Sequence, residues 1–292
     1  MPTSALHIAR RTWTAPESFR YCADLAASHY ENFPVASRLV PKDRRKYVAA
    51  IYAFARTADD FADEPGFTPA ERIDNLNAWN QQLLDCYDGH ASHPVFIAIA
   101  DTAERFQIPI ELFQNLLAAF RADVVTHRYE TFDDLLEYCE NSANPVGRLV
   151  LLLFNYRSET MFEQSDAVCT ALQLTNFWQD LAVDIPKDRL YVPREDFERF
   201  GLKETDLLGQ RFCRQFQDLM AFQVERTESL FRDGLPLVNE VSSDLRLELR
   251  LTWRGGMRIL EKIRRVNFDV YRYRPILTLT DKAALFLHAV RG

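Results

Sequence analysis

Two short stretches concentrate side chains able to hold a cation and a phosphate. In RTADDFADEPG, residues 56–66, Asp59, Asp60, Asp63 and Glu64 crowd six positions before Pro65-Gly66. In QLTNFWQDLAVDIP, residues 173–186, Asp180 and Asp184 precede Pro186. Residues three or four apart on a helix share a face. Tyr52, Arg56, Asp59 or Asp60, and Asp63 therefore form one polar stripe, with Glu64 off it. Gln173, Asn176, Asp180 and Asp184 form a second, about 120 residues away. Each proline stop places the acids in a last turn, where the helix dipole disfavours anions by roughly 0.3–1 kcal/mol each. Two helices ending in acid call for a cation. Oxygen ligands without Cys or His point to Mg²⁺ or Mn²⁺ and away from zinc. Magnesium usually keeps several waters and is completed by substrate phosphates, so a diphosphate held between the clusters would neutralise both. A lone DDxxD reads equally well as a solvated helix end. The repeated layout, with Tyr, Arg, Gln and Asn aligned, favours a site. An EF-hand is excluded by its missing spacing and glycine.

The elements that must position these stripes are helices. Only 9 of 292 residues are glycine, under half the usual share of about 7%, and prolines punctuate long Ala/Leu/Glu/Arg/Gln-rich runs. PKDRRKYVAAIYAFARTADDFAD has Pro41 at a first helical position, a basic first half and an apolar stripe through Val48, Ile51, Tyr52 and Ala55. TPAERIDNLNAWNQQLLDCY opens with Thr68 as cap, Pro69 behind it and Glu71 at the capping-box position. PIELFQNLLAAFRADVV, TFDDLLEYCENS and NPVGRLVLLLFNYRSET follow as helices, and DAVCTALQLTNFWQDLAVDI runs to Pro186. Residues 203–265 read as helical and strongly amphipathic, and a last helix starts from Pro275. No hairpin signal or strand–helix alternation is present, which argues against an α/β fold. The segment 185–201 is too short and too apolar for a domain boundary, so one all-α domain over residues 1–292 is expected.

The net charge of −7 speaks against a nucleic-acid partner, which needs a basic footprint. Five scattered cysteines, never spaced as CxxC, read as reduced core residues of a cytoplasmic protein. The first residues lack the apolar core of a signal peptide. The longest apolar run, LVLLLF at 149–154, is far below the ~18 residues of a membrane span, so any membrane contact is peripheral. Arg246, Arg250, Arg254 and Arg258, four apart, form either a solvated face or a contact with anionic lipid.

Three segments together resemble the squalene/phytoene synthases, all-α head-to-head prenyl synthases, over nearly the whole chain. YVAAIYAFARTADDFAD resembles the first aspartate motif of that family, YETFDDLLEYCENSANPVG its central tyrosine-bearing segment, and LQLTNFWQDLAVDIPKDRLYVP its second aspartate motif. HYENFPVASRLVP and SANPVGRLVLLLF are similar to the bacterial hydroxysqualene synthases. So is Gln179, where phytoene and squalene synthases usually carry arginine.

The resemblance implies an isoprenoid-synthase helical bundle with a central active-site cavity. It implies presqualene diphosphate as substrate, and Mg²⁺ or Mn²⁺ on Asp59, Asp60, Asp63, Asn176, Asp180 and Asp184. Arg56, Arg189 and Lys187 would add charge around the leaving group, with Tyr129 and Tyr52 near the reacting diphosphate. Gln173 and His29 would bind substrate. Phe33, Val146, Leu149, Leu153, Leu172 and Phe177 would line an apolar tunnel, and Gly147 would let a chain pass close to the backbone or would kink its helix. The cation would rearrange and be captured by water, with no NADPH; other enzymes would supply the substrate and consume the product. Two rivals stay open: a synthase condensing farnesyl or geranylgeranyl diphosphate, and a non-catalytic scaffold of the same fold.

Overall fold

The computed structural model describes residues 12–28, 40–63 and 65–291. Among these the chain is helical, with one isolated parallel bridge between Arg128 and Leu190. In chain order the helices are α1 (Ala15–Ser28), α2 (Arg45–Asp63), α3 (Pro69–Tyr87), α4 (Pro94–Phe106), α5 (Ile110–Val125), α6 (Phe132–Ser142) and α7 (Asn144–Leu153). Then come α8 (Glu159–Asp184), α9 (Arg194–Arg199), α10 (Glu204–Leu208), α11 (Arg214–Glu240), α12 (Ser243–Arg265) and α13 (Leu279–Arg291). The expected all-α class is what the structure has. The chain groups into two compact units, Met1–Val125 with Pro145–Ser158, and Thr126–Asn144 with Glu159–Gly292.

In the first unit the core forms around Trp79, whose indole donates to the Phe54 carbonyl at 3.3 Å. Phe54, Phe61, Phe96 and Phe113 are fully buried with it. Helix α2 presents Tyr47, Ala50, Phe54, Thr57, Ala58 and Phe61 to that core, a spacing of three and four that leaves Tyr52, Arg56, Asp59, Asp60 and Asp63 on the other side. The apolar stripe thus decides which way the polar one faces. Thr68 caps α3 as expected: its hydroxyl accepts from Glu71 N, and Glu71 Oε2 accepts from Thr68 N at 2.8 Å.

Two expected boundaries move in this unit. Pro41 is not helical; its carbonyl accepts from Arg44 N and Arg45 N at 2.9 and 3.2 Å, a turn that hands over to α2 at Arg45. The helix expected to run through 144–160 stops at Leu153. Asn155 turns left-handed at φ 62°, with Asn155 N donating to Leu152 O and Tyr156 N to Leu151 O. That is a Schellman closure, built on asparagine in place of glycine.

The second unit is organised by α8, α11 and α12. Trp178 of α8 is fully buried, and its indole donates to Thr227 Oγ1 of α11 at 2.8 Å. At Gly234 a Cβ would overlap the Val168 side chain and lie 2.6 Å from the Gln164 carbonyl oxygen, so α8 and α11 touch backbone to backbone there. The expected run from 203 to 265 is broken twice, by a left-handed Gln210 at φ 50° after α10 and by an extended Val241 after α11. The last helix begins at Leu279, after Pro275, because Thr278 and Asp281 form its cap: Asp281 N donates to Thr278 Oγ1, and Thr278 N to Asp281 Oδ2.

Candidate active site

In the first unit the acid group closes α2. Arg56 Nη1 lies 3.2 Å from Asp59 Oδ2, and its other terminal nitrogen pairs with Asp60. Burial alone would lower the Arg56 pKa, but Asp60 and Asp59 outweigh it and raise it. Tyr52 sits one turn earlier and half-buried; burial raises its pKa against the pull of Arg56, so its hydroxyl is a hydrogen-bond donor at neutral pH. Asp63, the last residue of α2, is exposed.

In the second unit the stripe of α8 runs from half-buried Gln173 through exposed Asn176 to half-buried Asp180 and Asp184. Asp184 is pushed up to about 6, first by burial and then by the like charge of Asp180, although Lys187, Arg189 and Arg274 pull the other way. Helix α8 ends at Asp184 and continues as a 3-10 turn over Ile185–Lys187. Asp188 turns left-handed, so that Arg189 N returns to the Asp184 carbonyl at 3.1 Å. That turn brings half-buried Arg189 and exposed Lys187 to the helix end.

One member of this group has no counterpart in the sequence reading. Arg274 forks onto Asp180, Nε to Oδ1 at 2.6 Å and Nη2 to Oδ2 at 3.0 Å. Its segment is tied down beside it, since Gln179 Nε2 donates to Pro275 O at 2.6 Å. Gln179 therefore positions the loop that carries the guanidinium.

Tyr129 is buried in an aromatic cluster of the second unit. Its ring lies 5.9 Å from Tyr191 and 5.7 Å from Tyr138, and Tyr191 stacks on Phe177 at 3.8 Å with 9° between planes. Phe177 follows Asn176, so the cluster adjoins the second stripe. Backbone pairing sets it there: Leu190 N donates to His127 O, and Arg194 N to Tyr129 O. Tyr138 and Tyr191 were not singled out from sequence, where each looks like ordinary core.

The remaining expected residues are scattered. His29 and Phe33, like Glu64, lie outside the described residues. Val146 is 44% exposed, and Gly147 is half-buried within α7. Leu149 and Leu153 are fully buried, while Leu172 is partly so. The arginine row of α12 is half-buried and not the fully solvated strip that its spacing also allowed. Arg246 is held by the carbonyls of Asn239 and Val241, Arg250 by that of Ala289, and Arg258 by Asp281 and Glu261. No helix among the described residues is long and apolar enough to cross a membrane.

Among the described residues no three His, Cys, Asp or Glu side chains converge as a ready-made metal cage. The donors still suit magnesium, which uses one or two carboxylates and takes its other ligands from water and phosphate. Burial first, and then the like charge of Asp180, make the ionised form of Asp184 costly.

The squalene/phytoene synthase family model matches residues 26–281. A hydroxysqualene synthase of Rhodopseudomonas palustris is 34% identical over 223 residues, 76% of this chain and 75% of that protein. A phytoene synthase of Arthrospira platensis is 28% identical over 274 residues, 89% of this chain and 88% of the other. Among solved structures, squalene synthase HpnC from Alicyclobacillus acidocaldarius superposes with a TM-score of 0.84 at 38% identity, covering 87% of this chain and 95% of its own. A ligand-bound dehydrosqualene synthase gives 0.84 at 25% identity, covering 95% and 96%.

Proposed function

This chain belongs to the squalene/phytoene synthase family, and on that basis we propose that it converts presqualene diphosphate and water to hydroxysqualene and diphosphate. Members of the family are head-to-head isoprenoid diphosphate synthases. The observation that carries the proposal is the pair of acid-terminated helix faces, each with its own guanidinium, Arg56 on one and Arg274 on the other. The choice of branch rests on Gln179 and on the 34% identity to a hydroxysqualene synthase.

Asp59, Asp60 and Asp63 on one stripe and Asn176, Asp180 and Asp184 on the other would hold Mg²⁺ or Mn²⁺, which would supply positive charge to a departing diphosphate. Arg56 and Arg274, which pair with carboxylates of the two stripes, are the guanidiniums able to donate to diphosphate oxygens, with Arg189 and Lys187 adding charge. Gln173 donates a neutral hydrogen bond on the same face. Tyr52 acts as a hydrogen-bond donor, since its raised pKa keeps the proton on oxygen. The Tyr129, Tyr138, Tyr191 and Phe177 rings offer π faces to a carbocation and keep water away while it rearranges. The carbon–oxygen bond to diphosphate breaks with its electron pair. Water then forms a new carbon–oxygen bond and gives up a proton. The balance needs no reductant.

Incubation with presqualene diphosphate and Mg²⁺, without NADPH, is expected to yield hydroxysqualene by mass spectrometry. Consumption of farnesyl or geranylgeranyl diphosphate with presqualene diphosphate left untouched sinks the assignment. It would support the second reading, a condensing synthase, which the 28% identity to a phytoene synthase over most of the chain favours.

A further inference from the structure

Helix α2 carries the wrong charge at both ends. Its acid end belongs to the site above, while its other end is entered through PKDRRK, with four cations and one acid between residues 42 and 46. No acidic residue stands in its first turn, where the dipole favours anions and disfavours cations. These cations are held largely by rings. Arg44 lies 5.4 Å from the Phe106 centroid and 5.3 Å from that of Phe154. Lys46 lies 4.3 Å from Phe19 and 4.6 Å from Tyr47. Arg105, from the last turn of α4, lies 5.8 Å from both Tyr47 and Phe106.

Both guanidiniums belong to residues lining a cleft of about 340 Å³, with Asp43, Tyr47, Phe106 and Asn155 as the rest of its wall. That volume falls within the roughly 300–1,000 Å³ of small-molecule sites. Among the described residues Asp43 takes only Arg44 Nε, at 3.3 Å, and Arg44 Nη1 is buried without an acceptor. Arg105 has no ion pair among the described residues and is exposed. A ring stabilises a cation but accepts no in-plane hydrogen bond, so both forks keep donors for an oxyanion. Arg44 is 15 residues before Asp59, about 22 Å along the helix axis, so the cleft is distinct from the acid end.

We propose that this cleft is an anion site for a phosphate group, on a soluble phosphate ester or on a lipid headgroup, held by Arg44 and Arg105 against the faces of Tyr47 and Phe106. Phosphate suits paired guanidiniums because two parallel N–H donors match two of its oxygens. It also supplies the negative charge that the start of α2 lacks.

The test uses the full chain in EDTA, which removes metal-dependent anion binding at the acid ends. Inorganic phosphate is expected to raise the melting temperature by a few degrees, saturably, where chloride at equal ionic strength does not. Arg105→Gln, at an exposed position that leaves folding intact, should lose the shift. Arg44→Gln should lose most of it, and Arg274→Gln should keep it. A parallel arm sediments the protein with phosphatidylcholine vesicles containing or lacking phosphatidic acid. A response to either phosphate source that disappears in Arg105→Gln supports the site, and the responding source identifies the ligand. A response equal in wild type and Arg105→Gln, or no response to either source in wild type, overturns it.

Discussion

The two acid-terminated helices solve one electrostatic problem by different means. At the end of α2 the counter-charge is local: Arg56 reaches Asp59 and Asp60 from three and four residues away. At the end of α8 it is remote: Arg274 meets Asp180 from 94 residues along the chain. The first cluster can be assembled by one helix alone. The second exists only when the segment after α12 has folded back onto α8, which Gln179 enforces through the Pro275 carbonyl. One further carboxylate in the second unit has neither solution. Among the described residues Glu248 Oε2 is buried without a hydrogen-bond partner, and burial pushes this group up to about 7.

The sharpest way to break the comparison is to neutralise each acid end in turn. Asp59→Asn and Asp180→Asn should each reduce turnover of presqualene diphosphate by about 10³-fold or more, with helical circular dichroism unchanged. Full activity in either variant removes the metal–diphosphate scheme. Next in size is Glu248. Its folded pKa lies above the ordinary 4.5, so the folded state holds the extra proton and stability falls as pH rises from about 4.5 to 7. Glu248→Gln should therefore gain roughly 2 kcal/mol at pH 8 relative to wild type, and the gain should vanish near pH 4. Denaturant melts at both pH values measure this; a pH-independent difference would assign the effect to packing. The smallest effects compare the guanidiniums. Arg274→Gln should cost about 1 kcal/mol, because it unties a tertiary contact, though Arg274 is half exposed and screened. Arg56→Gln should cost about 0.3–0.5 kcal/mol, the scale of a pair formed within one helix. Equal losses would erase the distinction between local and remote neutralisation.

That distinction also explains what was legible beforehand. The α2 stripe, the Thr68–Glu71 cap and the acid end of α8 follow from residues within one or two turns of each other, so spacing alone exposes them. Arg274 carries no such mark, because nothing near it in sequence is acidic at helical spacing. The break at Asn155 was hidden for another reason. Asparagine reaches left-handed geometry without the glycine that announces it, and the residues on both sides are compatible with a helix. Tyr191 is core and Tyr138 packs against it half-buried; their grouping with Tyr129 depends on the pairing of 127–130 with 190–195, which a helical periodicity cannot disclose. The arginine row of α12 shows the converse. Its regular spacing suggested a free face, while backbone carbonyls and carboxylates from other elements take up three of the four.

The contact at Gly234 sets a mechanical condition on the second acid end. Gln164, whose carbonyl oxygen limits the space there, and Asp180 lie on the same rigid rod, 16 residues or about 24 Å apart. A methyl group at position 234 would act as a wedge near one end of that rod. With Trp178 locked to Thr227 further along, the rod would tilt about the indole contact. The carboxylates would then move against Arg274. One hydrogen atom in place of a side chain thus works as a spacer that sets the aim of groups several turns away.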